Sequence, residues 1–293
     1  MQTIRPFHHL FAVASILCPL LPAQGADEEN LPAAEDLRAG GDDTMRYFLV
    51  GPRTDAVKKK APKDGFKLLL VLPGGNGSAE FATFGRRIAA NATDEQWLVA
   101  ILVAPVWNEK QAKELVWPTR MNKADGMKFA TEDFIAAVLR DVEQRHPVDP
   151  ATVFTLTWSS SGPAAYATSL DPKIGVTGSF VAMSVWKPDQ LPKLDKAKGH
   201  AYWLLHSPQD SIPIDMPKKA VIALKKAGAS VEMAEYEGGH GWHGDVYGMM
   251  KTGLDWLVAH HAEPDAMRLA ERKKSKGKPS GGDKDKDKDG AGK

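Results

Sequence analysis

Short apolar runs, each closed by a turn signal, recur along the 293-residue chain. Lys67-Leu68-Leu69-Leu70-Val71-Leu72 stops at Pro73-Gly74-Gly75, and 97–106 repeats the pattern with Pro105 near its end. Unbroken runs of this length are what strands buried on both faces require. Further strand patterns fall at 46–50, 153–157, 176–183, 201–205 and 231–236. Helical patterns fill the intervals at 78–90, from 131 through at least Val142, at 162–167, 216–227 and 246–261. Thr131 stands as the cap of the second, with Glu132 and Asp133 in its first turn and Pro147 past its end. Strands alternating with helices predict an α/β fold, a mostly parallel central sheet with helices on both faces. Sites in that architecture lie at the carboxyl ends of the strands.

Composition removes other classes. Apolar residues make up 43% of the chain and charged residues 26%, ordinary for a globular protein, so disorder throughout and fibrous repeats are excluded. A formal charge of +1 supplies no field suited to nucleic acid, and none is expected as a partner. The one cysteine, Cys18, builds neither a disulfide framework nor a thiolate metal site.

The two ends read differently from the middle. Arg5, the apolar run 10–21 and Ala23-Gln24-Gly25 ahead of Ala26-Asp27-Glu28-Glu29 fit a signal peptide over 1–25, cleaved after Gly25. Leu17 before Cys18 does not match a lipobox, and the run is short for a membrane span. Export to the periplasm or beyond is the expectation, with no stable membrane insertion after cleavage. Residues 26–43 read as a flexible polar lead-in, and 44–265 as the folded domain. Residues 266–293, with Lys and Asp alternating over 283–289, read as a solvated tail.

Three strand ends carry groups with chemistry. After the 153–157 strand comes Trp158-Ser159-Ser160-Ser161-Gly162-Pro163. A serine on a tight strand-to-helix turn holds its hydroxyl clear of the sheet, provided the residues two before and two after are small. Ser160 would put Trp158 at the first of these positions, and Ser161 would put Pro163 at the second and sink the hydroxyl into the helix. Ser159 leaves Thr157 and Ser161 as flanks, in place of the glycines of Gly-x-Ser-x-Gly. The strand ending at Leu205 leads to His206-Ser207-Pro208-Gln209-Asp210-Ser211-Ile212-Pro213, and the next to Gly238-Gly239-His240-Gly241-Trp242-His243. The order Ser159, Asp210, His240 is the Ser…Asp…His order of one large hydrolase superfamily. Asp215 lies past Pro213, His243 further along its loop, His206 in a structural place before the acid, and His260 and His261 at a helix end.

These segments, with 134–167 and Leu72-Pro73-Gly74-Gly75-Asn76-Gly77, resemble secreted esterases of the α/β-hydrolase superfamily over about residues 67–260. The feruloyl-esterase/polyhydroxybutyrate-depolymerase-like and phospholipase/carboxylesterase groups are the most similar, and the acid and histidine motifs are shared with prolyl-oligopeptidase-like peptidases. The resemblance implies an α/β-hydrolase fold and a serine carboxylic-ester hydrolase working through an acyl-enzyme. It gives Ser159 the nucleophile's role, His240 the base's and Asp210 the orienting acid's. It places an oxyanion hole at the Ser160 N–H and an N–H of Gly75 or Asn76. Trp158 and Trp242, two of eight tryptophans, sit beside these groups and are expected to line the substrate pocket.

The His, Asp and Glu residues show no metal-ligand spacing, and 74–77 lacks the Lys-Ser/Thr of a phosphate loop. No cofactor and no metal are expected. The expected partner is a small-molecule or polymer ester, acted on by a monomer. Two alternatives stand beside this: a non-catalytic binding protein that keeps the fold, favoured by the doubly substituted turn, and a peptidase.

Overall fold

The computed structural model describes residues 30–261. The expected signal peptide at 1–25, Cys18 within it, and the tail at 266–293 lie outside the described residues. In chain order the elements are β1 (Ala34–Arg38), β2 (Arg46–Val50), α1 (Asp55–Lys59), β3 (Phe66–Leu72), α2 (Ala82–Asn91), β4 (Trp97–Leu102), α3 (Glu109–Glu114) and α4 (Thr131–Arg145). They continue with β5 (Val148–Trp158), α5 (Gly162–Ser169), β6 (Gly178–Ala182), β7 (Ala201–His206), α6 (Asp215–Lys226), β8 (Ser230–Glu235) and α7 (Val246–His260).

The eight strands form one sheet in the order β1-β2-β4-β3-β5-β6-β7-β8. β1, β2 and β4 pair antiparallel, and every pairing from β4 to β8 is parallel. The apolar run of β3 explains why the sheet has two covered faces. Successive side chains of a strand point to opposite sides. Leu68, Leu70 and Leu72 pack with Phe134, Ile135, Val138 and Val142 of α4, while Leu69 and Val71 join the cluster of Ile88 on α2 and Met250, Leu254 and Leu257 on α7. β6 and β7 divide the same way: Val181 and Leu204 meet Ala220 and Leu224 of α6, and Phe180, Trp203 and Leu205 face α7.

Two expectations are corrected here. Within the flexible lead-in expected over 26–43, residues 34–38 form β1, an edge strand paired along its length with β2. Leu31 and Ala39 are buried, Arg86 donates to the carbonyls of Leu31 and Pro32, and Arg46 pairs with Asp36 at 2.8 Å. An edge strand needs backbone pairing on one side and little apolar surface, which is why its polar sequence read as loop. Thr131 is not the cap of α4. That position is Ala130, whose N–H donates to Asp133 Oδ2, and the Thr131 hydroxyl donates instead to Pro118 O.

Candidate active site

β5 ends at Trp158 and turns through a single 3-10 turn, Ser159–Ser161, into α5. Ser159 has φ +55°. Among the described residues only one other non-glycine residue, Met183, has a positive φ. For an L side chain this conformation is strained, and it persists where surrounding structure enforces it. Here it lifts the Ser159 hydroxyl to 2.8 Å from His240 Nε2. His240 Nδ1 lies 2.9 Å and 3.0 Å from the two carboxylate oxygens of Asp210. The Asp210 side chain is fully buried, and that of His240 is 29% exposed. An ionised carboxylate only accepts, so Nδ1 carries the proton, and Nε2 is left to accept from Ser159 Oγ. Asp210 Oδ1 also accepts the N–H of Ile212 at 2.7 Å, which holds the carboxylate in place.

The neighbouring serines have other partners. Ser161 Oγ is buried, 2.7 Å from Leu72 O and 3.0 Å from both the N and O of Trp158. Ser160 Oγ donates to Gly75 O at 2.9 Å, joining the turn after β5 to the loop after β3. Thr157, the β-branched residue two before Ser159, sends its hydroxyl sideways to Phe180 O of β6. Its bulk therefore lies within the sheet and leaves the turn clear.

The loop after β3 is tightly shaped. Gly75 and Gly77 have φ near +60°, Gly77 N–H donates to Gly74 O, and Trp117 Nε1 donates to Pro73 O. Asn76 Oδ1 accepts the Ser78 N–H, closing a local turn. Gly75 and Asn76 are thereby set beside the Ser159–Ser160 turn, with the Ser160 N–H among those a helical start leaves without an intrahelical acceptor.

Trp158 packs in an aromatic cluster next to Ser159. It is only 6% exposed, with its ring edge-on to Phe81, Phe84 and Trp242 at 5.5–5.8 Å between centroids. A Cβ on Gly74 would overlap the Trp158 ring. The indole is a floor beneath the Gly74–Gly77 loop and the histidine loop. Trp242 is partly buried in the same cluster.

Other residues hold the loops, and sequence patterns do not single them out. Tyr236 OH donates to Gly241 O at 2.7 Å, beside His240. Ser207 Oγ donates to Gly238 O, linking the Asp210 and His240 loops. Ser184 Oγ donates to Ser159 O at 2.7 Å. Their one sequence signal is a hydroxyl placed just past a strand end. Of the rival groups, Asp215 opens α6, His206 Nε2 pairs with Ile212 O, His243 stacks on Tyr236, and His260 stacks on Trp256. Among the described residues no group of three or more His, Cys, Asp or Glu is placed to hold a metal ion.

No protein-family model matches this chain, and no curated protein matches it. Solved structures do. The chain is similar to fluorophosphonate-binding serine hydrolase F of Staphylococcus aureus, at 14% identity and a TM-score of 0.57, over 77% of this chain and 97% of that one. It is similar to esterase 2 of Thermogutta terrifontis at 17% identity and a TM-score of 0.56, over 80% and 98%. An alpha/beta hydrolase from a Medee basin deep-sea metagenome library gives 14% identity and a TM-score of 0.54, over 84% and 96%. With the mostly parallel sheet described above, these likenesses establish the fold: the chain has the α/β-hydrolase fold.

Proposed function

We propose that this chain is a serine hydrolase that cleaves carboxylic esters through an acyl-enzyme on Ser159. The observation that carries the reading is the hydrogen-bonded series from Ser159 Oγ through His240 to the buried Asp210, with Ser159 held at φ +55°. His240 Nε2 takes the Ser159 proton as Oγ attacks the ester carbonyl, then passes that proton to the departing alcohol. Asp210 accepts from Nδ1 throughout and stabilises the imidazolium. The negative oxygen of the tetrahedral intermediate is held by the Ser160 N–H and an N–H of Gly75 or Asn76. Each such donor contributes roughly 3 kcal/mol to the transition state. A water molecule, deprotonated by His240, then releases the acid. The esterase and serine hydrolase named among the similar structures support the same reaction class.

In the same reading, residues 1–25 are a signal peptide removed on export, the hydrolase domain runs from about residue 30 to 265, and 266–293 is a solvated tail on a monomer. N-terminal sequencing and sedimentation of the exported protein test these parts.

Fluorophosphonate labelling of the folded protein, with Ser159→Ala alongside, tests the chemistry. Labelling that disappears in Ser159→Ala, together with hydrolysis of a nitrophenyl ester, supports the proposal. Labelling that survives moves the nucleophile elsewhere. A folded wild type that neither labels nor hydrolyses leaves the non-catalytic binding protein as the better account.

A further inference from the structure

The strained backbone of Ser159 has to be held by something outside its own turn, because a lone φ +55° in a non-glycine residue relaxes unless neighbours enforce it. Two donors meet its carbonyl oxygen: the N–H of Gly162 within the turn, and the hydroxyl of Ser184 at 2.7 Å. Ser184 is buried and lies two residues past β6, on a turn whose first residue, Met183, has φ +39°. Met183 N–H donates to Leu205 O at 2.7 Å, so that turn is fastened to β7, the strand that leads into the Asp210 loop. Gly162 completes the fit, since a Cβ there would overlap both Oγ and Cβ of Ser184. The absent side chain at 162 is the space that the Ser184 hydroxyl occupies.

We propose that Ser184 is a positioning residue for the acyl transfer, its hydroxyl clamping the carbonyl of Ser159 so that Ser159 Oγ stays aimed at His240 Nε2. The proposal rests on Ser159 being the nucleophile. Glycines two residues either side of a nucleophile would let its turn find the strained shape freely. Here Thr157 and Ser161 occupy those places, and besides the Ser160 hydroxyl on Gly75 O, three more brace the turn: Thr157 to Phe180 O, Ser161 to Leu72 O and Ser184 to Ser159 O. Only the third touches the strained residue itself.

The test compares wild type, Ser184→Ala and Ser184→Cys in two ways. One is fluorophosphonate labelling and ester hydrolysis, normalised to titrated sites. The other is amide hydrogen exchange over 159–162. The expected result for Ser184→Ala is a labelling rate and kcat lowered together by roughly ten- to a hundredfold, since small misplacements of a nucleophile cost that much. KM stays within about twofold and exchange over 159–162 quickens, with Ser184→Cys intermediate. A variant that is merely less stable, with kcat per titrated site unchanged, overturns the proposal. A wild type that does not label at all removes the nucleophile reading. The exchange comparison then still decides the brace: quicker exchange in Ser184→Ala keeps it, and unchanged exchange ends it. Should Ser184→Ala fail to fold, Ser184→Cys carries the same readouts.

Discussion

Ser161 Oγ lies 2.7 Å from the carbonyl oxygen of Leu72, so a side chain in the serine run joins the end of β3 to the turn after β5. It is fully buried and its bonds are all to backbone. Ser161→Ala should lower stability by about 1–3 kcal/mol, the usual cost of leaving buried polar groups unpaired. Labelling of Ser159 should survive in the folded fraction. Ser160→Ala, which removes an exposed hydroxyl, should cost well under about 1 kcal/mol. Denaturant unfolding alongside labelling checks both, and a Ser161→Ala protein of full stability would contradict the role.

Asp210→Asn should separate geometry from proton bookkeeping. The amide fills the same buried space but lets the imidazole adopt the tautomer with its proton on Nε2, facing Ser159. By analogy with other serine triads, kcat should fall by about ten-thousandfold with KM little changed. Steady-state kinetics beside circular dichroism measures this. A fall of less than tenfold in a folded variant would remove Asp210 from the mechanism.

Trp158 behaves as a floor, and its loss should show in stability before it shows in binding. Trp158→Ala empties a cluster of Phe81, Phe84 and Trp242 and should cost about 3–5 kcal/mol. Gly74→Ala should lower kcat, because its methyl would displace the Trp158 ring or the loop carrying Gly75 and Asn76. If Trp158→Ala instead raised KM at full stability, the indole would be a pocket wall after all.

Glu132 sets a pH dependence. Burial pushes its carboxyl above the usual carboxylate range, against the lowering effect of the backbone N–H groups it accepts from, Arg120's among them. The folded state therefore binds this proton more tightly than the unfolded chain. Stability from this group is greatest in acid. It declines as pH rises from the ordinary carboxylate value to the raised one, and is level above that. Glu132→Gln removes the slope, so the stability difference should move in the variant's favour with rising pH and then flatten. Unfolding midpoints of the two proteins across pH measure it. A difference independent of pH would show that Glu132 does not titrate in that window.

The strands of the sheet interior are legible because burial on both faces favours runs of apolar residues, as in β4 and in β3 from Leu68 to Leu72. The edge is not: Glu35, Asp36 and Arg38 of β1 obey no burial pattern, since their strand is held by backbone bonds to β2. The start of α4 is hidden from the sequence for a similar reason. A threonine ahead of acids looks like a cap, yet its hydroxyl is taken by Pro118 O, which only the folded loop brings near.

The features that residue order alone fixes are local or ordinal: the alternation of buried runs with amphipathic helices, and the order of Ser159, Asp210 and His240 at separate strand ends. These follow from periodicity and turn chemistry, which act within a few residues. The tertiary structure decided the partner of each hydroxyl in the run of three: His240 for Ser159, Gly75 O for Ser160 and Leu72 O for Ser161. It also decided that Trp158 is buried and that Ser184, Ser207 and Tyr236 hold the loops. Those outcomes depend on partners far along the chain: Ser159 meets His240 across 81 positions, and Ser161 meets Leu72 across 89. A hydrogen bond has a range of about 3 Å, so it is settled only when the sheet has brought its two ends together.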